Sequence, residues 1–240
     1  MKLSLATTLS FLTSTTLAHG GVTQYRINDK TYQGYIWSSP FSGQKDLIQR
    51  SWHQNPHTDP SSVNMTCNYH GSPVPGAFHA PLAAGSTVSA TWSHDGFGWV
   101  HTVGPMMAYM ASCGDDCTSI TNIGDLSWFK IAEEGLRDGY SVGQDEGCGW
   151  DVVVPKTLKK GKYLLRHEIV NLELSPVQFY PNCAQVEVMG EGDQVPGEEY
   201  LVKFPGAYST TDPGIAISGK VRQDKVTKNY TVPGPKVWVG

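Results

Sequence analysis

Short runs in which apolar and polar positions alternate dominate this chain. Residues 86–92, 150–155, 163–170 and 184–188 are rich in β-branched and aromatic side chains and change polarity with a period close to two. That is the pattern of strands with one face buried. Gly and Pro punctuate the intervals at 73–76, 84–85, 160–161 and 205–206, the turn spacing of an antiparallel sandwich. Helical periodicity is scarce. Its best stretch is 126–131, where Trp128, Phe129 and Ile131 would line one or two helical turns. The pattern predicts an all-β fold, an immunoglobulin- or fibronectin-like antiparallel β-sandwich with long loops and short helical turns.

The first eighteen residues depart from this alternation. Lys2 precedes an apolar stretch from residue 3 to residue 17, and Thr16 and Ala18 are small residues at the spacing of a signal-peptidase site. Interrupting Thr and Ser leave the stretch short of the ~20 apolar residues that a membrane span needs. Residues 1–18 therefore read as a secretory signal, and cleavage after Ala18 makes His19 the first residue of the mature chain. Residues 19–240 suit a single domain, because sandwiches of about 200–250 residues form one unit. No cysteine-rich appendage after residue 200 suggests an added carbohydrate-binding module. No later segment is apolar enough for a bilayer, and the C-terminal residues offer no tail for a lipid anchor. A secreted, extracellular protein without a membrane partner is expected.

Charge and cysteine content narrow the partners. Eighteen Lys and Arg against 22 Asp and Glu give a net charge of −4, with no basic patch for nucleic acid. Five cysteines, Cys67, Cys113, Cys117, Cys148 and Cys183, enter an oxidising compartment. One must be left over or pair with another chain. Asn64-Met-Thr66 and Asn229-Tyr-Thr231 are N-glycosylation acceptors.

A histidine that becomes residue one offers a metal both its α-amino nitrogen and its Nδ1, closing a chelate ring that no internal histidine forms. One further imidazole would complete a T-shaped set of three nitrogens, and tetragonal nitrogen sites favour Cu(II). One copper ion per chain is the expected cofactor.

The remaining motifs run through the whole mature chain. They are Ala18-His19-Gly20, His101-Thr-Val-Gly-Pro105, Leu165-Arg-His-Glu-Ile169, Gln178-Phe-Tyr-Pro-Asn-Cys-Ala-Gln185, Phe204-Pro-Gly-Ala-Tyr208 and Val232-Pro-Gly-Pro235. Together they resemble the fungal lytic polysaccharide monooxygenases that act on cellulose, auxiliary activity family 9. The resemblance implies that His19 and His101 hold the copper, with Tyr180 as its distant axial neighbour. His101 precedes the Gly104-Pro105 turn, whereas His94 sits seven residues upstream in a turn-like sequence. Gln178 lies two residues from Tyr180, which on a strand places both on one face. By the same resemblance His167 and Gln178 donate hydrogen bonds to the reacting oxygen, and His167 delivers a proton.

The reaction implied is oxidation at C1 and/or C4 of cellulose or a related β-glucan by O2 or H2O2 with an external electron donor, performed by a monomer. Tyr208 foremost, then Tyr25, Tyr32 and Tyr35, are candidates to stack on sugar from exposed loops. Cys67 is expected to pair with Cys183 and Cys113 with Cys117, leaving Cys148 over. The alternatives are a secreted copper-binding protein with the same histidine pair and no oxygenase activity, a carbohydrate-binding module, and a hydrolase using Asp145 and Glu146.

Overall fold

Two sheets face each other in the computed structural model, which describes residues 19–69, 71–93, 98–136, 149–221 and 230–240. The signal segment 1–18 and the positions His94, Asp145, Glu146, Cys148 and Asn229 lie outside the described residues. The smaller sheet has four strands in the order β2 (Lys30–Gln33), β1 (Gly21–Ile27), β4 (Thr87–Ser93) and β7 (Gly149–Val153). The larger has six, in the order β10 (Leu201–Val202), β6 (Trp128–Glu134), β5 (Met106–Ser112), β8 (Gly161–Asn171), β9 (Gln178–Met189) and β3 (Ala80–Ala83). The single α-helix among the described residues, α1, spans Pro213–Ala216, and the other helical turns there are short 3-10 ones. No helix among them is long and apolar enough to cross a membrane.

Alternation explains the interior. Inward positions of both sheets, among them Tyr25, Val88, Trp92, Met110, Phe129, Leu165 and Val186, form the core between the layers. The outer face of the six-stranded sheet is covered as well. Met107, Tyr109, Trp128, Leu164, Phe179 and Cys183 pack there beneath the loops that carry Met65, Phe204 and Tyr208. Because both faces are covered, the central strands read as nearly unbroken apolar runs.

That double burial overturns the helical reading of 126–131. Trp128, Phe129 and Ile131 lie on β6, paired antiparallel with β5 and β10. Trp128 faces the outer cluster while Phe129 and Ile131 face the inner one, so two half-buried faces at period two mimic a short helical stripe.

The sandwich also carries one parallel pair, since β3 runs alongside β9 at the sheet edge. The chain leaves β3 through Gly85, whose φ of +83° suits glycine, and crosses directly to β4 in the other sheet. No hairpin ties β3 to β9, so nothing imposes the antiparallel direction. Further along the same edge of β9, the long loop contributes Ile48 and Arg50, bonded by backbone to Gln185 and Cys183, and His57, bonded to Phe179. The expected disulfides are both present. Cys67–Cys183 staples this loop to β9, and Cys113–Cys117 closes a tight turn after β5.

Candidate metal centre

The entrance to β1 is pinned from two sides. Gly21 pairs with Ser93 at the end of β4, and the Val22 N–H donates to Asn182 Oδ1 on β9 at 3.3 Å. Gln49 Nε2 donates to Val22 O at 2.8 Å and to the same Asn182 oxygen at 3.2 Å. A side chain at residue 21 would meet the Trp52 ring at 2.8 Å, so the Gly following His19-Gly20 is sterically required. His19, half-buried, is thereby held at the edge of the sandwich where β4 ends and the chain proceeds towards His101.

The His101 loop is clamped to the end of β8. The Leu172 N–H donates to Val103 O at 2.8 Å and the Val170 N–H to Pro105 O at 3.1 Å. Between them Gly104, with φ of +150°, lies so close to Val170 O that a Cβ would stand 1.6 Å from it. This close approach is why glycine follows His101 at that distance. His101 is left 5% exposed, with Trp99 edge-on to it at 5.5 Å.

Both ring nitrogens of His101 have partners. Nδ1 lies 3.2 Å from Glu173 Oε2, and Nε2 lies 3.0 Å from the Tyr180 hydroxyl. A carboxylate only accepts, so Nδ1 carries the proton and Nε2 presents its lone pair. Thr102 Oγ1 donates to the other Glu173 oxygen at 2.7 Å, which fixes the carboxylate. Tyr180 and Gln178 share a face of β9, as their spacing predicts, and the Tyr180 hydroxyl donates to Gln178 Oε1 at 3.0 Å. Asn171 closes the group by donating from Nδ2 to Gln178 Oε1 at 2.8 Å and accepting from the Glu173 N–H at 2.9 Å. Burial, and next the negative charge of Glu173, hold the Tyr180 phenol pKa well above its ordinary value. It stays neutral.

These donors fit an N-ligated metal. An imidazole that hands its far N–H to a carboxylate is the usual arrangement of a metal-bound histidine, because the carboxylate fixes the tautomer and raises the basicity of the other nitrogen. No cluster of three His, Cys, Asp or Glu side chains occurs among the described residues. A metal held here would have to draw on imidazole nitrogen and on the amine of His19 once that residue is first, a set that would suit copper.

Other expected site residues lie elsewhere. His167 faces the core between the sheets, beside Tyr25 at 5.8 Å and Trp150 at 6.0 Å. Neither of its ring nitrogens has a hydrogen-bond partner among the described residues. Burial pushes its pKa down to about 3. It is thus a neutral core residue that does not join the His101 group, where Glu173 and Asn171 stand instead.

The tyrosines expected on exposed loops are buried too. Tyr25 and Tyr32 belong to the inner core at 0% and 6% exposure. Tyr208, 6% exposed, donates to Glu168 Oε2 at 2.7 Å beneath the six-stranded sheet. Tyr35 is 6% exposed as well. Tyr25, Tyr32 and Tyr208 fill the layers on the two faces of the large sheet, and Tyr35 lines a cavity beside Trp52. Asn64 is half-buried in a short 3-10 turn at Val63–Met65, beside Val63 at 75% exposure.

Sequence reasoning missed Glu173 and Asn171. The signal available was two polar residues at period two, immediately after a buried apolar strand.

Known proteins are similar to this chain over nearly its whole length. Residues 19–230 match the profile of Auxiliary Activity family 9 (formerly GH61). AA9 family lytic polysaccharide monooxygenase B of Heterobasidion irregulare is 42% identical over 234 residues, covering 93% of each chain. The crystal structure of HiLPMO9B superposes with a TM-score of 0.81 at 39% identity, over 92% of this chain and all of that one. A cellulose-active polysaccharide monooxygenase from M. thermophila also gives a TM-score of 0.81, at 34% identity and the same coverage.

Proposed function

This chain belongs to auxiliary activity family 9 and is a copper-dependent polysaccharide monooxygenase; on that premise we propose that it acts outside the cell on β-1,4-glucan, as cellulose or a related chain. The mature protein begins at His19, where the family match also begins. His19, through its amine and ring, and His101, through Nε2, hold one copper ion. Copper, when bound, supplies one-electron redox chemistry that lets O2 or H2O2 oxidise C1 and/or C4 of a glucosyl unit, with electrons from an external donor.

The protein's own groups prepare the site. Glu173 keeps His101 in the tautomer that offers Nε2, and Thr102 keeps Glu173 in place. The neutral Tyr180 phenol stands against Nε2, and Gln178 holds that phenol by its proton. Trp99 lies edge-on to both His101 and Tyr180, the latter at 5.0 Å, and excludes water from one side. The observation that carries the reading is the His101 ring, braced by a carboxylate on Nδ1 with Nε2 turned towards Tyr180.

The test compares protein beginning at His19 with protein extended by one Met. Extension turns the amine into an amide, a poor donor at neutral pH. Copper affinity by calorimetry should fall at least about 100-fold in the extended form and in His101→Ala. Oxidised sugars released from cellulose with ascorbate, read by mass spectrometry, should vanish with it. Equal copper affinity in all three proteins contradicts the assignment.

A further inference from the structure

Asn171 and Gln178 are the last pair of the β8–β9 ladder, and their two amides close a ring of hydrogen bonds that runs on through Tyr180, His101 and Glu173. Asn171 and Tyr180 are 0% exposed, so their polar groups have to be satisfied within the protein. A side-chain amide carries donors at one end and an acceptor at the other, and it can turn over with little change of shape. Which way round each amide stands therefore decides where the protons of the ring lie.

One group in the ring cannot turn. The Glu173 backbone N–H only donates, and it donates to Asn171 Oδ1 at 2.9 Å. That sets the Asn171 amide, whose Nδ2 is left to face Gln178 and donates to Oε1 at 2.8 Å. Gln178 is set in turn, and the same Oε1 accepts from the Tyr180 hydroxyl at 3.0 Å. The phenol proton is thus drawn to Gln178 and away from His101 Nε2, which lies 3.0 Å from the phenol oxygen. At the far end of the ring the Glu173 carboxylate takes the Nδ1 proton.

The opposite polarity fits the same space. With Gln178 turned over, its Nε2 would donate to the Tyr180 oxygen, and the phenol would be left to donate to His101 Nε2. The lone pair that a metal needs would then be engaged.

We infer that Asn171 is a positioning residue of the metal centre, which holds Gln178 one way round and so keeps the Tyr180 proton off the His101 nitrogen that receives copper. The inference rests on the reading of His101 as a copper ligand and adds what keeps its lone pair available.

Asn171→Asp tests it, because an aspartate still accepts from the Glu173 N–H while presenting a second acceptor to Gln178. The Gln178 amide should turn over to donate, and copper affinity by calorimetry should fall about 3- to 10-fold, the worth of one hydrogen bond. A new negative charge near a cation would by itself act in the opposite sense. In a Tyr180→Phe background, which has no phenol proton to redirect, the same substitution should cost no affinity, since such a cycle isolates the coupling of the pair. Affinity of Asn171→Asp equal to or above wild type overturns the inference, and so does a loss that persists in the Tyr180→Phe background. Wild-type protein supplies a measurement that needs no variant to fold. In the nitrogen NMR spectrum of the copper-free protein, His101 should carry its proton on Nδ1 and show no hydrogen-bond coupling from the Tyr180 hydroxyl to Nε2, and a coupling there overturns the inference too. Failure of the copper-site reading registers separately, as a His101→Ala variant that binds copper like wild type.

Discussion

Two polar clusters hang from the same strand, β8, and they use similar residues for opposite ends. One lies on the outer face at mid-strand, where Arg166 forms a bidentate pair with Glu168 at 2.9 and 2.6 Å. Arg166 also donates to Thr66 O and Met65 O, and its guanidinium lies 3.9 Å from the centre of the Phe204 ring. Glu168 accepts from Tyr208, which in turn meets the Tyr109 hydroxyl at 2.9 Å. Arg166 and Glu168 are 0% exposed. The other cluster sits where the strand ends, with Asn171, Glu173, His101, Tyr180 and Gln178. In the first, each charge is cancelled by a fixed partner. In the second, the His101 Nε2 lone pair stands beside a phenol whose proton goes to Gln178, so that nitrogen can serve as a metal ligand. A closed cluster orders the loops over the sheet, while one at a strand end is free to bind.

The sharpest way to break this contrast is Glu168→Gln. An amide in place of the carboxylate leaves Arg166 buried without its counter-charge, a loss of about 3–5 kcal/mol. Chemical denaturation should show that loss while the folded fraction binds copper as wild type does. A variant of unchanged stability would mean that the closed cluster carries no net energy.

Glu173 should behave in the reverse sense. Glu173→Ala removes the carboxylate that fixes His101 and should weaken copper binding about 10- to 100-fold, the usual cost of losing such a partner. Stability should fall by about 1.5–3 kcal/mol, the scale of a hydrogen bond to a charged group. Glu173→Gln keeps an oxygen that accepts from Nδ1 and should recover most of the affinity. If Ala and Gln bind copper equally well, Glu173 does not position His101.

The same contrast shows what could be read from one dimension. The sandwich was legible because alternation, Gly and Pro recur along the whole chain. His101, Gln178 and Tyr180 were singled out by the resemblance of their motifs to the family, and the period of two added that Gln178 and Tyr180 share a face of their strand. The 126–131 segment was not, because burial of both sheet faces erased its alternation. Arg166-His167-Glu168 resembles an active-site motif in sequence, yet successive residues on a strand point to opposite faces. That sends His167 into the core and its neighbours into the closed cluster. Glu173 follows the end of the strand, so only the clamp at Gly104 and Val170 reveals that it meets His101. The tyrosines failed for a simpler reason, since exposure depends on the layer above a residue, which its own sequence does not contain.

His167 gives the smallest effect and the finest test of this division. Its imidazole, with a pKa held at about 3 by burial, stays neutral in the fold where an unfolded chain would take up a proton below about pH 6.5. Between those limits the unfolded state binds more protons. Stability therefore rises with pH and is lost as pH falls, at no more than about 1.4 kcal/mol per pH unit for this one group. Above about pH 6.5 the contribution is complete and flat. His57, lowered to about 4 chiefly by burial, adds a similar slope, so the readout is a difference between two proteins. His167→Leu should flatten the stability profile between about pH 5 and 6.5, where carboxylates contribute little, and leave copper affinity unchanged. A parallel slope in the variant would mean that His167 is not the titrating group. A fall in copper affinity would return it to the metal centre and erase the distinction between core and site.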